Sequence, residues 1–250
     1  MAFAGSIKLV SEGARFLAPF IDPQAWLLGR ITRVGYIPGL PIAQDEATAG
    51  IGMFLVTDDL NGTNAGDVSI VNAVPPPLRL TTGANNNDTI QCFAGDGQGR
   101  RISPFALTAN DELAFIVEFT RDSNVSTVLI GFGTAGGGDI VGTPPSNAIA
   151  LRLKNGDNNV YLVLRKTGTE TEENTGFTLT PGEFKTFCLR ASRSRVLLMD
   201  VSQPGFPYAM VNLANLPDAN SFLGFFAGIK TNSAFARQLD LRIWQAFQAR

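Results

Sequence analysis

The chain has 250 residues, a mass of 26.7 kDa and a net charge of −2, from 20 basic and 22 acidic side chains. Folding at this length buries roughly 70–75% of the surface the unfolded chain exposes, so no disulfide or metal staple is required. Histidine is absent, which excludes Ser-His-Asp and Cys-His nucleophile systems, His-ligated zinc or iron, and imidazole proton transfer near neutral pH; the balanced charge makes no electrostatic case for nucleic acid.

The opening residues, Met1 to Lys8, lack a basic segment followed by an apolar core, so no secretory leader is expected. No apolar run approaches the roughly 18 residues of a membrane-spanning helix, so no membrane partner is expected either. As far as Ala84 the chain is interrupted repeatedly, by Pro19, Pro23, Gly29, Gly35, Pro38, Pro41 and Pro75-Pro76-Pro77. Phe16, Phe20, Trp26, Leu27 and Leu28 lie between these breaks, followed by Tyr36. Such short apolar pieces make no core of their own. They either fold back over their own subunit or dock on a neighbouring protein. The docking reading makes residues 1–84 an extended N-terminal arm with those six side chains as its contact residues.

From residue 85 the pattern is that of strands. Leu113, Phe115, Val117 and Phe119 alternate with Ala114, Ile116, Glu118 and Thr120. Ile149, Leu151 and Leu153 form one arm, and Val160, Leu162 and Leu164 the other, of a hairpin about Asn155-Gly156. A second hairpin is expected about Ser192–Arg195, with arms at 184–191 and 196–201. The final segment places Leu239, Leu241, Ile243 and Phe247 on one face, with Trp244 interrupting the polar face. With 26 Gly, 14 Pro and only 17% charged residues, the composition suits turns and strands better than helices. The expected fold is all-β: a two-sheet antiparallel jelly-roll sandwich over residues 85–250, with the extended N-terminal arm preceding it. Eleven Phe, from Phe105 to Phe247 and including Phe222 and Phe226, are expected to fill its core.

Several motif-like strings lose their chemistry on inspection. Gly131-Phe132-Gly133-Thr134-Ala135-Gly136 matches G-x-G-x-x-G, but the Gly- and Pro-rich residues that follow make no helix to hold a pyrophosphate. Near Lys230, Ile229 separates Gly228 from the Lys-Thr pair that a phosphate loop needs contiguous with glycine. Glu170, Glu172 and Glu173 form the only acidic cluster and read as a solvated hairpin tip. Asp96, Asp139 and Asp157 fall at no calcium-loop spacing. Cys92 and Cys188 read as buried thiols ahead of a disulfide between them. No catalytic, cofactor or metal residues are assigned.

The succession FIVEFTRD, VLIGFGT, NAIALRLKN, VYLVLRKTG, GFTLTPGEFKTFCLRAS, RVLLMDVSQPG and LGFFAGIKTNSAFARQLDLRIWQAF, over about residues 100–248, resembles concanavalin-A-like (laminin-G-like) jelly-roll domains. More narrowly, it is similar to those in structural proteins of tailed bacteriophages. The Glu-x-Asp-x-x-Glu string of glycosidases with this fold is missing, and without His the Glu-x-Asp…His metal set of legume-type lectins is incomplete. The resemblance therefore implies a non-enzymatic virion structural protein, most of all a capsid decoration (cement) protein. It would be assembled in a host cytoplasm, form a homo-oligomer (a trimer), and contact a major capsid protein or another virion protein through its arm. The alternative is a carbohydrate-binding tail or fibre module with a glycan partner. A third reading, a glycan-active enzyme, would draw on carboxylates such as Glu118 or Glu173.

Overall fold

The computed structural model describes residues 31–36, 54–60, 66–71, 73, 77–95, 105–108, 112–134, 138–203, 208–211 and 214–249. Within them run β1 (Ile31–Tyr36), β2 (Phe54–Leu60), β3 (Asp67–Ile70), β4 (Leu78–Thr81), β5 (Thr89–Gly95), β6 (Glu112–Arg121), β7 (Ser126–Gly133), β8 (Ala148–Leu153), β9 (Asn159–Lys166), β10 (Thr169–Thr178), β11 (Lys185–Ala191), β12 (Val196–Asp200), β13 (Tyr208–Val211), β14 (Gly224–Thr231) and β15 (Gln238–Ala249). They form two antiparallel sheets. One has the order β13-β12-β11-β6-β15-β4-β3, with β1 also paired to β15; the other has the order β10-β9-β8-β7-β14-β5-β2. The expected two-sheet jelly roll is what forms.

The two local hairpins arise as the turn chemistry dictates. β8 and β9 pair from Leu153↔Val160 outward, and Gly156 takes the left-handed φ of +77° that an L side chain resists. β11 and β12 pair about the Ser192–Arg195 turn, closed by the Ser192 amide donating to the Arg195 carbonyl at 2.7 Å.

Four strands come from sequence preceding residue 85, within the stretch expected to be an arm. β3 and β4 extend the eight-stranded sheet, β2 pairs with β5 at the edge of the other, and β1 runs beside β15. β15 is long enough to take β4 against Gln238–Leu241 and β1 against Trp244–Ala249. The Arg79 guanidinium fastens β4 to β15 by two hydrogen bonds of 2.7 Å to the Asp240 carboxylate.

Facing side chains of the two sheets make the core. Phe115, Phe132 and Phe225 meet edge to face with centroids 5.5–6.3 Å apart, and Phe105 joins Phe132 at 5.2 Å. Phe119, Phe177 and Phe187 form a second aromatic group, the offset and tilted geometries that ring quadrupoles favour. Phe222 departs from expectation: it is 69% exposed on the loop before β14.

The faces of β15 also differ from the simple alternation. The register with β6 shifts between Leu241 and Ile243, leaving Arg242 as an extra residue. A bulge of this kind reverses the faces beyond it. Leu239, Leu241 and Ala246 are fully buried in the core, whereas Ile243 and Phe247 take register positions opposite Glu118 and Ala114, on the outer face of β6. Trp244 pairs with Val117, a core-facing position. Period counting across the whole segment missed the inserted residue.

Candidate functional site

Along the seven-stranded sheet, alternate residues point away from the core. Phe93, Leu129, Ala150, Val163 and Phe226 on this outer face form a separate apolar cluster with Ile140 and Val141. The covering residues belong to the loop between β7 and β8, which folds back over the sheet.

Polar side chains clasp that loop from beneath. Gln91, fully buried, donates through Nε2 to the Gly138 carbonyl at 2.9 Å and accepts through Oε1 from the Ile140 amide at 3.1 Å. Asp139 Oδ1 accepts from the amides of Val141 and Gly142 at 3.0 and 2.8 Å, while its Oδ2 pairs with Lys230 Nζ at 2.8 Å. Glycines below give the loop room. A Cβ on Gly228 would lie 2.8 Å from Val141 Cγ2, and one on Gly133 would lie 2.7 Å from Pro145 Cγ. Gly131 and Gly133 of the G-x-G-x-x-G string thus lie inside β7 and serve close packing.

Beside this loop lies an open groove of about 600 Å³, within the usual range for ligand sites. It runs along β8, from Pro144 and Arg165 at one end to Lys154, Asn87 and Asn232 at the other. Arg152 rises from its floor. Its guanidinium donates to Glu170 Oε1 and Glu172 Oε2, both at 2.6 Å, and Lys154 also pairs with Glu172. Burial works against the Arg152 charge, but the bonds and charges of Glu170 and Glu172 outweigh it and raise the pKa. Lys154 also sits over the Tyr161 ring, 4.1 Å from its centroid. The Tyr161 hydroxyl donates to Asp157 Oδ2 at 2.5 Å, a bond that lowers the Asp157 pKa and raises that of Tyr161. At the far end, Thr127 Oγ1 donates to Asn232 Oδ1 at 3.1 Å.

The sequence-expected residues fall as follows. Phe16, Phe20, Trp26, Leu27 and Leu28 lie outside the described residues. Tyr36 ends β1, opposite Trp244. The acidic cluster is no hairpin tip: the turn falls at Thr167-Gly168, and Glu170, Glu172 and Glu173 lie on β10, opposite Arg165, Val163 and Leu162. Only Glu170 and Glu172 share the face of Arg152. Glu118 is on the other sheet, its pKa raised by burial against a weaker downward pull from Arg242. Cys92 and Cys188 are free buried thiols. Among the described residues, no group of three His, Cys, Asp or Glu is placed to hold a metal ion. Of the groove residues, Glu170 and Lys230 stood out in the sequence but not as parts of one site, and Arg152, Lys154, Arg165, Asn87 and Asn232 were not singled out. Their one signal is that Arg152 and Arg165 occupy the polar phase of adjacent alternating strands.

No protein-family model and no curated protein matches this sequence. Solved structures match over most of its length. Lectin II from Ulex europaeus, also known in complex with galactose, has a TM-score of 0.57 at 10% identity, covering 88% of this chain and 99% of its own. The Ca2+/Man3GlcNAc-bound exoplasmic/lumenal domain of VIP36 gives 0.54 at 14%, over 86% and 88%. A protein of unknown function from Shewanella oneidensis MR-1 gives 0.55 at 14%, over 92% and 95%. An endo-beta-1,4-glucuronan lyase from Trichoderma reesei gives 0.50 at 17%, over 77% and 94%. The chain therefore shares the concanavalin-A-like two-sheet sandwich fold of these structures.

Proposed function

We propose that this chain is a non-enzymatic carbohydrate-binding domain whose ligand lies in the groove along β8. The carrying observation is the groove itself: an open channel beside the sheet, lined by amide, hydroxyl, carboxylate and cationic side chains. Sugars present many hydroxyls in fixed geometry, and such groups answer them as both donors and acceptors. That two of the similar structures hold or are named with sugar ligands supports the reading. The similar lyase shows that the same sandwich also serves catalysis in another protein. Here Glu170 and Glu172 are occupied as acceptors of Arg152. The raised pKa of Tyr161 makes its phenolate scarcer near neutral pH, a poor property for a general base.

Titration of purified protein against a panel of oligosaccharides tests this directly. At least one should bind, and Asn232→Ala should weaken it about three- to tenfold, the effect of one or two lost hydrogen bonds. Absence of binding across the panel, or binding that ignores Asn232→Ala and Lys154→Ala alike, would refute the assignment.

The capsid-decoration role is a second proposal, motivated by the phage-like strand succession. It predicts that deleting residues 1–48 abolishes incorporation into a particle. Incorporation of the truncated chain at wild-type level would rule out the arm as a clamp.

A further inference from the structure

Three of the four cations lining the groove are neutralised by carboxylates: Arg152 by Glu170 and Glu172, Lys154 by Glu172, and Lys230 by Asp139. Arg165 differs. Its Nε donates to the Gly168 carbonyl at 3.0 Å and its Nη1 to the Pro144 carbonyl. Among the described residues it has no carboxylate partner, and Glu170, its register neighbour across β9 and β10, is turned to Arg152.

The two backbone carbonyls matter for what Arg165 can do. They come from two different elements, the β9–β10 turn and the loop over the sheet, and they fix an otherwise flexible side chain. A guanidinium carries five N–H donors, so two fixed bonds leave others for a ligand. The charge remains uncompensated at the end of an open groove, where an immobilised Arg is well suited to a carboxylate. The neighbouring ion pairs form a nearly neutral floor, which leaves Arg165 as the group that discriminates.

We infer that the groove prefers an acidic glycan, and that Arg165 reads a carboxylate of a uronic-acid unit. This rests on the glycan-binding reading above and narrows it to a ligand class. Arg165 is a specificity residue in this account; the other contacts would hold neutral and acidic chains alike.

The test compares an oligogalacturonate with its carboxyl-reduced form, which carries CH2OH in place of each carboxylate, by calorimetric titration. The expected result is a preference of about tenfold for the acid, the effect of one charge-assisted contact. In Arg165→Gln that preference should fall to within about threefold. Circular dichroism shows whether the variant is folded. The wild type supplies an independent arm: added salt should erode the acid preference and leave binding of the reduced form alone. Equal binding of the two sugars would overturn the acidic preference and leave glycan binding standing. Binding of neither would overturn the uronic-acid assignment, whereas glycan binding itself falls only if the whole oligosaccharide panel fails to bind. A preference that survives Arg165→Gln, or that ignores salt, would remove Arg165 from the role.

Discussion

Replacing Arg121 by Met tests how the groove end of the sandwich is held together. Arg121 closes β6 and is fully buried. Its guanidinium donates to the Ser126 carbonyl at 2.8 Å, the Lys154 carbonyl at 3.0 Å and the Asp157 carbonyl, while its own carbonyl accepts from the Gly182 amide at 2.9 Å. One residue thus joins the start of β7, the β8–β9 turn and the β10–β11 turn. Burial lowers its pKa from 12.5 to about 10, with Asp157 and Asp122 pulling the other way, so it keeps its charge at neutral pH.

Met fills much of the same volume and donates nothing. Three carbonyls lose their donor, at about 1–3 kcal/mol each. Against this, the folded state no longer holds a desolvated guanidinium, which recovers several kcal/mol. The net expectation is a loss of about 3 kcal/mol. For a domain of this size that lowers Tm by roughly 6–12 °C. Urea and thermal unfolding, followed by near-UV circular dichroism, measure it. Arg121→Lys keeps the charge with fewer directed donors and should fall between. A Met variant within about 2 °C of wild type would show that the burial penalty cancels the three bonds, and the stapling role would be wrong.

Other outcomes follow from the same structure. Gly131→Ala should destabilise by about 3 kcal/mol or more, because the new Cβ would meet the Ile149 carbonyl oxygen at 2.2 Å and the Ala150 Cα at 2.5 Å, both backbone atoms. Gly156→Ala, with open space around it but φ of +77°, should cost only about 1 kcal/mol; paired denaturation curves decide the order. Burial pushes both thiols up to about 12, against a small opposing effect of the Ala227 backbone at Cys92 and of Arg190 at Cys188. A thiol reagent at pH 8 should therefore find no reactive group in native protein and two in denaturant; rapid native labelling would contradict their burial. The Asp157 pKa is lower folded than its ordinary 3.8, chiefly through the Tyr161 hydrogen bond. Its contribution is thus present above 3.8 and is lost as pH falls through the folded value. The urea-midpoint gap between wild type and Asp157→Asn should narrow below that pH, and a gap constant from pH 5 downward would argue against the contact.

The hairpin about Asn155-Gly156 and its partner about Ser192–Arg195 were legible because strand alternation and turn chemistry are local properties. Each residue there reports its own face, and the turn residue reports its own φ. β15 marks where local reading fails. The extra residue at Arg242 becomes visible only when β6 lies alongside, since a bulge is a property of a strand pair. The early strands failed for a related reason. β3 and β4 have four residues each, too few to show a period, and β15, which joins the pair to the sheet through β4, comes from the far end of the chain.

The groove was the least legible part. Glu170 and Glu172 were conspicuous as part of an acidic cluster, yet their meaning depends on which carboxylate faces which cation. That is set by the pairing of β8, β9 and β10 and by a loop whose anchors lie far off in sequence: Lys230 reaches Asp139 across 91 positions, and Gln91 reaches Ile140 across 49. Composition and periodicity sufficed for an all-β sandwich without imidazole chemistry, because burial on one face of a strand imposes its pattern directly on the residues. Charge compensation leaves no such pattern. Ion pairs form between side chains that folding brings within a few ångströms, so only the assembled sheet separates the neutralised Arg152 from the uncompensated Arg165.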